Sequence, residues 1–160
     1  MATNRFCIES FLDSMELKYF TQNDDEPAWV VMFSPGIGVF LTLNEDGEYL
    51  RFRSLPLINR RMLTPEKNNL LNAALLKLNG NFKIGHFGGD DDIVVEMALP
   101  IEESELTAGQ FQRCMAIVCS EAIGFMKRLP GLIGDEEPAK EEDMIGELIH
   151  RLIGDQPTED

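Results

Sequence analysis

Apolar positions along the chain change their spacing several times, and each spacing predicts a different element. Near the N-terminus, Ile8, Phe11, Leu12 and Met15 recur every three or four residues, which predicts an amphipathic helix over about Asn4–Glu16. Further along, apolar residues alternate with polar ones or run continuously, as in strands with one or both faces buried. The strands predicted on this basis are Ala28–Phe33, Ile37–Leu43 and Tyr49–Leu55, with an optional short strand at Leu17–Thr21.

Turn residues join some of these segments into hairpins. Asn44–Gly47 contains Asp and Gly, which favour the tight connection between two antiparallel strands. A second hairpin is predicted from two strand-like segments, Phe82–Phe87 and Ile93–Leu99, on either side of the turn Gly88–Asp92.

Two further helices carry start signals. Thr64 is a predicted N-cap followed by Pro65 at the first helical position, and this helix should end near Asn79–Gly80. Thr107 and Gln110 form a capping box at the start of a long helix that should stop at Pro130–Gly131. The predicted order is therefore α-β-β-β-α-β-β-α. Because hairpins dominate and no β-α-β unit repeats, we expect an α+β fold with an antiparallel sheet flanked by helices.

Charge divides the chain into two parts. Its 160 residues include 28 acidic and 14 basic residues, a formal net charge of −14. Residues 131–160 hold ten acids against Lys140 and Arg151, a net of −8, which leaves −6 for residues 1–130. We expect a single domain over residues 1–130 and an acidic appendage over residues 131–160. Acidic runs often serve only to keep a tail solvated.

The appendage also contains an apolar stripe. Its residues recur at helical spacing and predict a short helix over about Glu141–Ile153. The stripe consists of Met144, Ile145, Leu148, Ile149, Leu152 and Ile153. Such a stripe is buried against its own domain, against a second subunit or in the groove of a partner protein.

Leu76 is a second candidate for a contact with a partner or a twin subunit. It lies about 150° around the helix from the apolar stripe that contains Leu71 and Leu75. This position indicates a helix covered on two faces, although a lone exposed leucine is about equally common.

The sequence shows no pattern typical of a catalytic, cofactor-binding or metal-binding site. His86 alternates with Phe82 and Ile84 and is interpreted as a histidine at the edge of the core, and His150 as a surface residue. Cys114 and Cys119 lie on the apolar stripe of the long helix, where a thiol is chemically quiet. Cys7 borders the stripe of the first helix, and the Asp90–Asp92 run is interpreted as a turn without the spacing of an EF-hand loop. No P-loop or G-x-S-x-G pattern occurs.

Composition limits the cellular location and the classes of partner that we expect. The net charge of −14 argues against nucleic acid and anionic membranes as partners, because both would repel the chain. No segment approaches the roughly 20 apolar residues of a membrane-spanning helix, and the first residues lack the apolar core of a signal peptide. Three cysteines without a C-x-x-C pair indicate neither a disulfide framework nor a zinc site. We therefore expect a cytoplasmic protein.

Several local motifs carry a resemblance to a known family. They are Leu75-Leu76-Lys77-Leu78-Asn79, Gly85-His86-Phe87, Val94-Val95-Glu96, Leu99-Pro100 and Leu106-Thr107 followed by Phe111. These motifs resemble those of the YbjN family, whose fold resembles that of type III secretion chaperones. The likeness covers about Phe6–Leu129, so the acidic appendage is unmatched. The resemblance implies a small, acidic, cytoplasmic protein without enzymatic activity, a homodimer that holds an extended segment of another protein.

Three functions follow as hypotheses. The first is a protein-binding module whose sheet and Leu76 side offer apolar surface to a partner. The second is a regulatory or sensory domain whose acidic C-terminal helix binds a basic partner. The third, an enzyme, would need a pocket that collects Glu96, His86 or the Asp90–Asp92 loop with perturbed pKa values.

Overall fold

The structure, a computed structural model, describes residues 3–22, 27–34, 36–44, 48–101 and 105–135. A short 3-10 helix, Arg60–Met62, precedes the second α-helix. In chain order, the described residues form α1 (Arg5–Ser14), β1 (Tyr19–Gln22), β2 (Ala28–Ser34), β3 (Ile37–Asn44), β4 (Tyr49–Ser54), β5 (Ile58–Asn59), α2 (Pro65–Asn81), β6 (His86–Gly88), β7 (Asp92–Pro100) and α3 (Ala108–Leu132).

The strands form one antiparallel sheet. β1, β2, β3, β4 and β7 are neighbours in that order, β5 continues the line of β4 along β7, and β6 pairs with the other edge of β7. This architecture confirms the predicted α+β class. The optional strand before β2 is present as β1, whereas the two-residue β5 was not predicted, because so short a segment has no periodicity to detect.

One face of the sheet carries the core. Alternate residues of β2, β3, β4 and β7 point to this face, and α3 packs across β3, β4 and β7. Phe111 of α3 lies against Phe52 of β4 and Phe11 of α1, with ring centroids 5.6 Å and 5.4 Å apart. The fully buried side chains of this core include Ile8, Leu12, Trp29, Val31, Val39, Leu41, Leu50, Phe52, Leu71, Ile93, Val95, Phe111, Met115, Val118 and Phe125.

α2 packs beside α3 and against β6. Its Leu71 and Leu75 are buried, as the helical stripe predicts. The side-chain amide of Asn79 accepts a hydrogen bond from the backbone N–H of Phe87 (2.7 Å) and donates one to its carbonyl oxygen (2.8 Å). The Phe87 ring packs on Phe125 of α3, with ring centroids 5.2 Å apart. These contacts fix α2 at the β6 end of the sheet.

The end of α3 corrects one prediction. The helix does not stop at Pro130–Gly131 but continues to Leu132. Pro130 lies in the last turn, where its missing N–H leaves only one helical hydrogen bond unmade. Gly134 has φ +80°, and the N–H of Asp135 donates to the Pro130 carbonyl (2.7 Å). The helix therefore ends at Leu132, with Ile133 as the C-cap residue and Gly134 just beyond it in the left-handed conformation that residues with side chains disfavour.

Parts of the predicted organisation lie outside the described residues. These are positions 45–47 of the first hairpin turn and the whole predicted helix over 141–153, with its apolar stripe. The division between residues 1–130 and 131–160 stays a prediction. In the part of the chain that the structure describes, no helix has the length and apolar character needed to cross a bilayer.

Candidate protein-binding surface

The face of the sheet opposite the core is its open face, and no described helix packs on it. Strand register places one row of side chains across the whole sheet on this face. From edge to edge the row reads Phe20, Val30, Phe40, Arg53, Glu96 and His86. Residues two positions away along each strand share the face because strand side chains alternate. The open face therefore includes Met32, Thr42, Arg51 and Ala98.

The half of the open face formed by β1, β2 and β3 is apolar. Phe20 is 66% exposed, and Val30, Met32 and Phe40 are half-buried. Gly38 lies opposite Met32 in the β2–β3 pair, where a Cβ atom would stand 2.7 Å from the Val31 carbonyl oxygen. The chain therefore requires glycine here for the two strands to approach closely.

The other half of the open face is charged. Glu96 lies between two arginines, with carboxylate oxygens 3.6 Å from Arg51 Nε and 3.7 Å from Arg53 Nε. The arginine side chains are about half exposed, and that of Glu96 is 21% exposed. Glu96 thus faces away from the core. One carboxylate against two guanidinium groups leaves a net positive charge beside the apolar half.

His86 corrects a second prediction. It is exposed on the open face, directly across from Glu96, and is not a histidine at the edge of the core. The predicted strand Phe82–Phe87 is replaced by β6, which starts only at His86. Phe82 instead ends α2 as its C-cap residue, so residues 82–85 do not alternate as a strand. Phe87 then takes the core side and His86 the opposite side.

The two outer edges of the sheet differ. At β6, the Asn79 amide occupies both the N–H and the carbonyl of Phe87, so α2 blocks that edge. At β1, no described strand pairs with the outer side of Tyr19–Gln22. An unpaired strand edge can accept a further strand from another chain. Sequence reasoning missed this edge and Phe20, because a periodic pattern does not show which strand ends the sheet.

A second exposed apolar surface lies on α2. Leu76 is 78% exposed and Leu70 is 49% exposed, with the exposed Ala73 between them. We call these three residues the α2 outer face. Leu76 thus points away from the core, as its position around the helix indicates. The other candidate contact residues, Met144, Ile145, Leu148, Ile149, Leu152 and Ile153, lie outside the described residues.

The acidic turn between β6 and β7 is held by structural contacts. Asp91 pairs with Arg61 (2.6 Å), and Asp92 accepts a hydrogen bond from Asn59 Nδ2 (2.7 Å). Gly89 has φ +116°, where a side chain would be strained. The region is therefore a turn, as predicted. Across the described ranges, no cluster of three or more His, Cys, Asp or Glu side chains is placed to hold a metal ion.

The buried cysteines are packing residues. Burial raises the pKa of the Cys119 thiol to about 12, and it also raises the pKa of Cys114. At neutral pH both are therefore present almost entirely as unreactive thiols. Their predicted positions in the core are confirmed. Cys7 is only half-buried.

Comparisons with known proteins agree on one family and one fold. The sequence profile of the YbjN family, described as "Putative bacterial sensory transduction regulator", matches residues 7–129. The crystal structure of YbjN from E. coli, "a putative transcription regulator", has a TM-score of 0.60 at 14% identity, covering 80% of this chain and 92% of that one. The structure of the ExsC-ExsE complex has a TM-score of 0.60 at 20% identity, and the match covers 79% of this chain and 92% of that one. The structure of the HopA1-SchA chaperone-effector complex has a TM-score of 0.52 at 18% identity, and the match covers 73% of this chain and 88% of that one. No curated protein matches the sequence.

Proposed function

Because the chain belongs to the YbjN family, we propose that it is a non-enzymatic protein-binding module that holds an extended segment of another protein on its open face. The single observation that carries this proposal is the uncovered row of Phe20, Val30 and Phe40, continued by Arg53. Two of the similar structures are complexes of two proteins by their titles, and one of these is a chaperone-effector complex, which supports a protein partner here.

The partner segment is defined by the chemistry of the face. The outer edge of β1 offers backbone hydrogen bonds to an extended strand. Apolar side chains of that strand would cover Phe20 and Phe40, and an acidic side chain would reach Arg51 or Arg53. Burial of the apolar anchors supplies affinity, whereas the arginines determine the register of the bound segment and favour a segment with negative charge. The acidic remainder of the chain repels other acidic proteins and keeps the apolar face soluble.

The test uses displayed extended peptides selected on the full chain. Phe20→Ser should weaken the binding of selected peptides about tenfold, because burial of an exposed phenylalanine contributes on the order of 1.5 kcal/mol. The matched control is Phe6→Ser, since Phe6 is 78% exposed on α1 and lies away from the open face. Equal losses for Phe6→Ser and Phe20→Ser, or no selected peptide at all, would contradict the proposal.

The homodimer and the cytoplasmic location implied by the resemblance stay predictions. The proposed binding needs the open face of one copy only. Light scattering on the full chain measures the subunit number directly, and a monomer that still binds selected peptides would separate the two ideas.

The regulatory hypothesis rests on the acidic C-terminal helix, which lies outside the described residues. The family description as a sensory transduction regulator supports it. It predicts that a variant ending at Asp135 keeps the circular-dichroism spectrum expected of the α+β fold and loses a basic partner. Unchanged binding by that variant would remove the hypothesis.

A further inference from the structure

The α2 outer face leaves the apolar side chains of Leu70 and Leu76 exposed in the described structure. Leu70 and Leu76 lie on the helix about 9 Å apart along its axis, with Ala73 between them. A leucine that is 78% exposed on a helix already anchored by Leu71 and Leu75 contributes nothing to the core. The position at which the described chain ends suggests an occupant for this face.

The described chain ends at the margin of the α2 outer face. The Asp135 carboxylate pairs with Lys67 Nζ at 2.7 Å. Gly134 lies beside Leu70, so close that a Cβ on the glycine would stand 3.3 Å from Leu70 Cδ1. Residues 136–160 therefore start next to one end of the exposed apolar stripe, on the helix side of the sheet.

Charge favours the same surface. Residues 60–81, which include α2, contain Arg60, Arg61, Lys67 and Lys77 against Glu66 alone, a net of +3 in a chain of −14. Residues 136–160 contain nine acids against Lys140 and Arg151, a net of −7. Arg61 already pairs with Asp91 and Lys67 with Asp135, which leaves about +1 on this region. The most acidic segment thus begins beside a region of opposite sign, which attracts it weakly.

The lengths also agree. Residues 136–140 span at most about 17 Å when extended. Leu76 is about 14 Å along the helix axis from Lys67, so a segment starting at residue 141 can reach the whole outer face. The predicted helix would extend its apolar stripe, Met144 to Ile153, over about 14 Å. This length is similar to that of the surface to be covered.

We propose that residues 141–153 cover the α2 outer face of their own molecule. The apolar stripe around Leu148 packs on Leu70, Ala73 and Leu76, and the flanking acids face the basic residues of the 60–81 region. The surface is distinct from the open face, so the proposal goes beyond the proposed function and does not depend on it.

The test attaches a nitroxide spin label within the full chain, at Glu147→Cys on the polar side of the predicted helix. Cys7→Ala removes the half-buried native thiol, and the buried Cys114 and Cys119 react slowly because their pKa values are raised. In a 15N-labelled sample, the amide signals of the α2 outer face should lose most of their intensity to the label. Leu148→Asp in the same labelled chain should restore them to the level of the reduced, diamagnetic label.

A mixed sample distinguishes the possible occupants. Here the label is carried by 14N chains, and the 15N chains carry none, so only contacts between molecules broaden the signals. The proposal expects no loss at Leu70 or Leu76 in this sample. Loss in the mixture equal to that in the single-chain sample would assign the face to the segment of a second copy and overturn the proposal. Loss at Val30 and Phe40 instead, or no loss anywhere, would overturn it too, without affecting the peptide test of the open face.

Discussion

The contact between Asn79 and the backbone of Phe87 gives the sharpest test of how this fold is held together. Phe87 is only 3% exposed, and its N–H and carbonyl both bond to the Asn79 amide, at 2.7 Å and 2.8 Å. The amide does what a neighbouring strand would do at the outer edge of β6. Removing it should both loosen α2 and leave two backbone groups without partners.

The magnitude follows from these two hydrogen bonds. Each contributes about 0.5–1.5 kcal/mol net, and an unpaired buried group costs about 1–3 kcal/mol. Because water can reach part of the edge after truncation, we expect Asn79→Ala to lower the free energy of unfolding by about 2–3 kcal/mol. The measurement is urea unfolding followed by circular dichroism. The matched control is Asn81→Ala, since Asn81 donates to the Lys77 carbonyl on the exposed side of the same helix and should change stability by less than about 0.5 kcal/mol.

Asn79→Asp turns the same contact into a pH-dependent one. A carboxylate can accept from the Phe87 N–H but would face the Phe87 carbonyl oxygen with like partial charge. This raises the pKa of the introduced Asp above its unfolded value of about 3.9. The folded state then binds the proton more tightly. The variant should be closest to the native chain below about pH 4 and lose stability as pH rises through the raised folded-state pKa.

Two results would refute this reasoning. One is a loss for Asn79→Ala no larger than that for Asn81→Ala. The other is an Asn79→Asp variant whose stability relative to the native chain does not fall between acid and neutral pH. Either would mean that the Phe87 backbone groups find other partners and that the edge of β6 is held by side-chain packing alone.

Three further outcomes test the packing of the fold. Ser54→Ala should destabilise by about 1–3 kcal/mol in urea unfolding, because Ser54 Oγ accepts the Val95 N–H (2.9 Å) within the core and alanine leaves it unpaired. Thr107→Ala should cost about 1 kcal/mol by removing the capping box with Gln110, a loss that glycine at position 107 would reduce to a few tenths. The free energy of unfolding should fall as pH rises from about 9 towards 12, because the pKa of Cys119 is about 12 in the folded state and lower in the unfolded state. In Cys119→Ala, the part of this fall that is due to the thiol should be absent.

Local signals predicted the elements that local interactions determine. The N-caps Thr64 and Thr107 both accept the backbone N–H three residues on, because the capping geometry needs only neighbouring residues. The predicted strand Tyr49–Leu55 is present as β4, and its residues alternate between buried and exposed positions, with Leu50 and Phe52 in the core. These predictions depend on period alone.

Predictions that needed long-range pairing failed or could not be made. β5 exists only because β7 continues past β4, and His86 is exposed because α2 extends to Asn81 and shortens the following strand. Alternation along each strand shows which of its residues share a face, but it does not show which strand lies at the apolar end of the open face. Phe20 belongs to it only through pairing with Val30. Sequence analysis therefore missed the apolar edge of the candidate surface.

Position along the chain, more than net charge, separates the two apolar surfaces. On the open face, Glu96 lies between Arg51 and Arg53 and reduces their combined charge from +2 to +1. The residues of the 60–81 region sum to +3, but Arg61 pairs with Asp91 and Lys67 with Asp135, which likewise leaves +1. The two surfaces therefore attract an acidic segment about equally. Because the chain after Asp135 continues from beside Lys67, the proposed docking on α2 would leave the open face available to a partner.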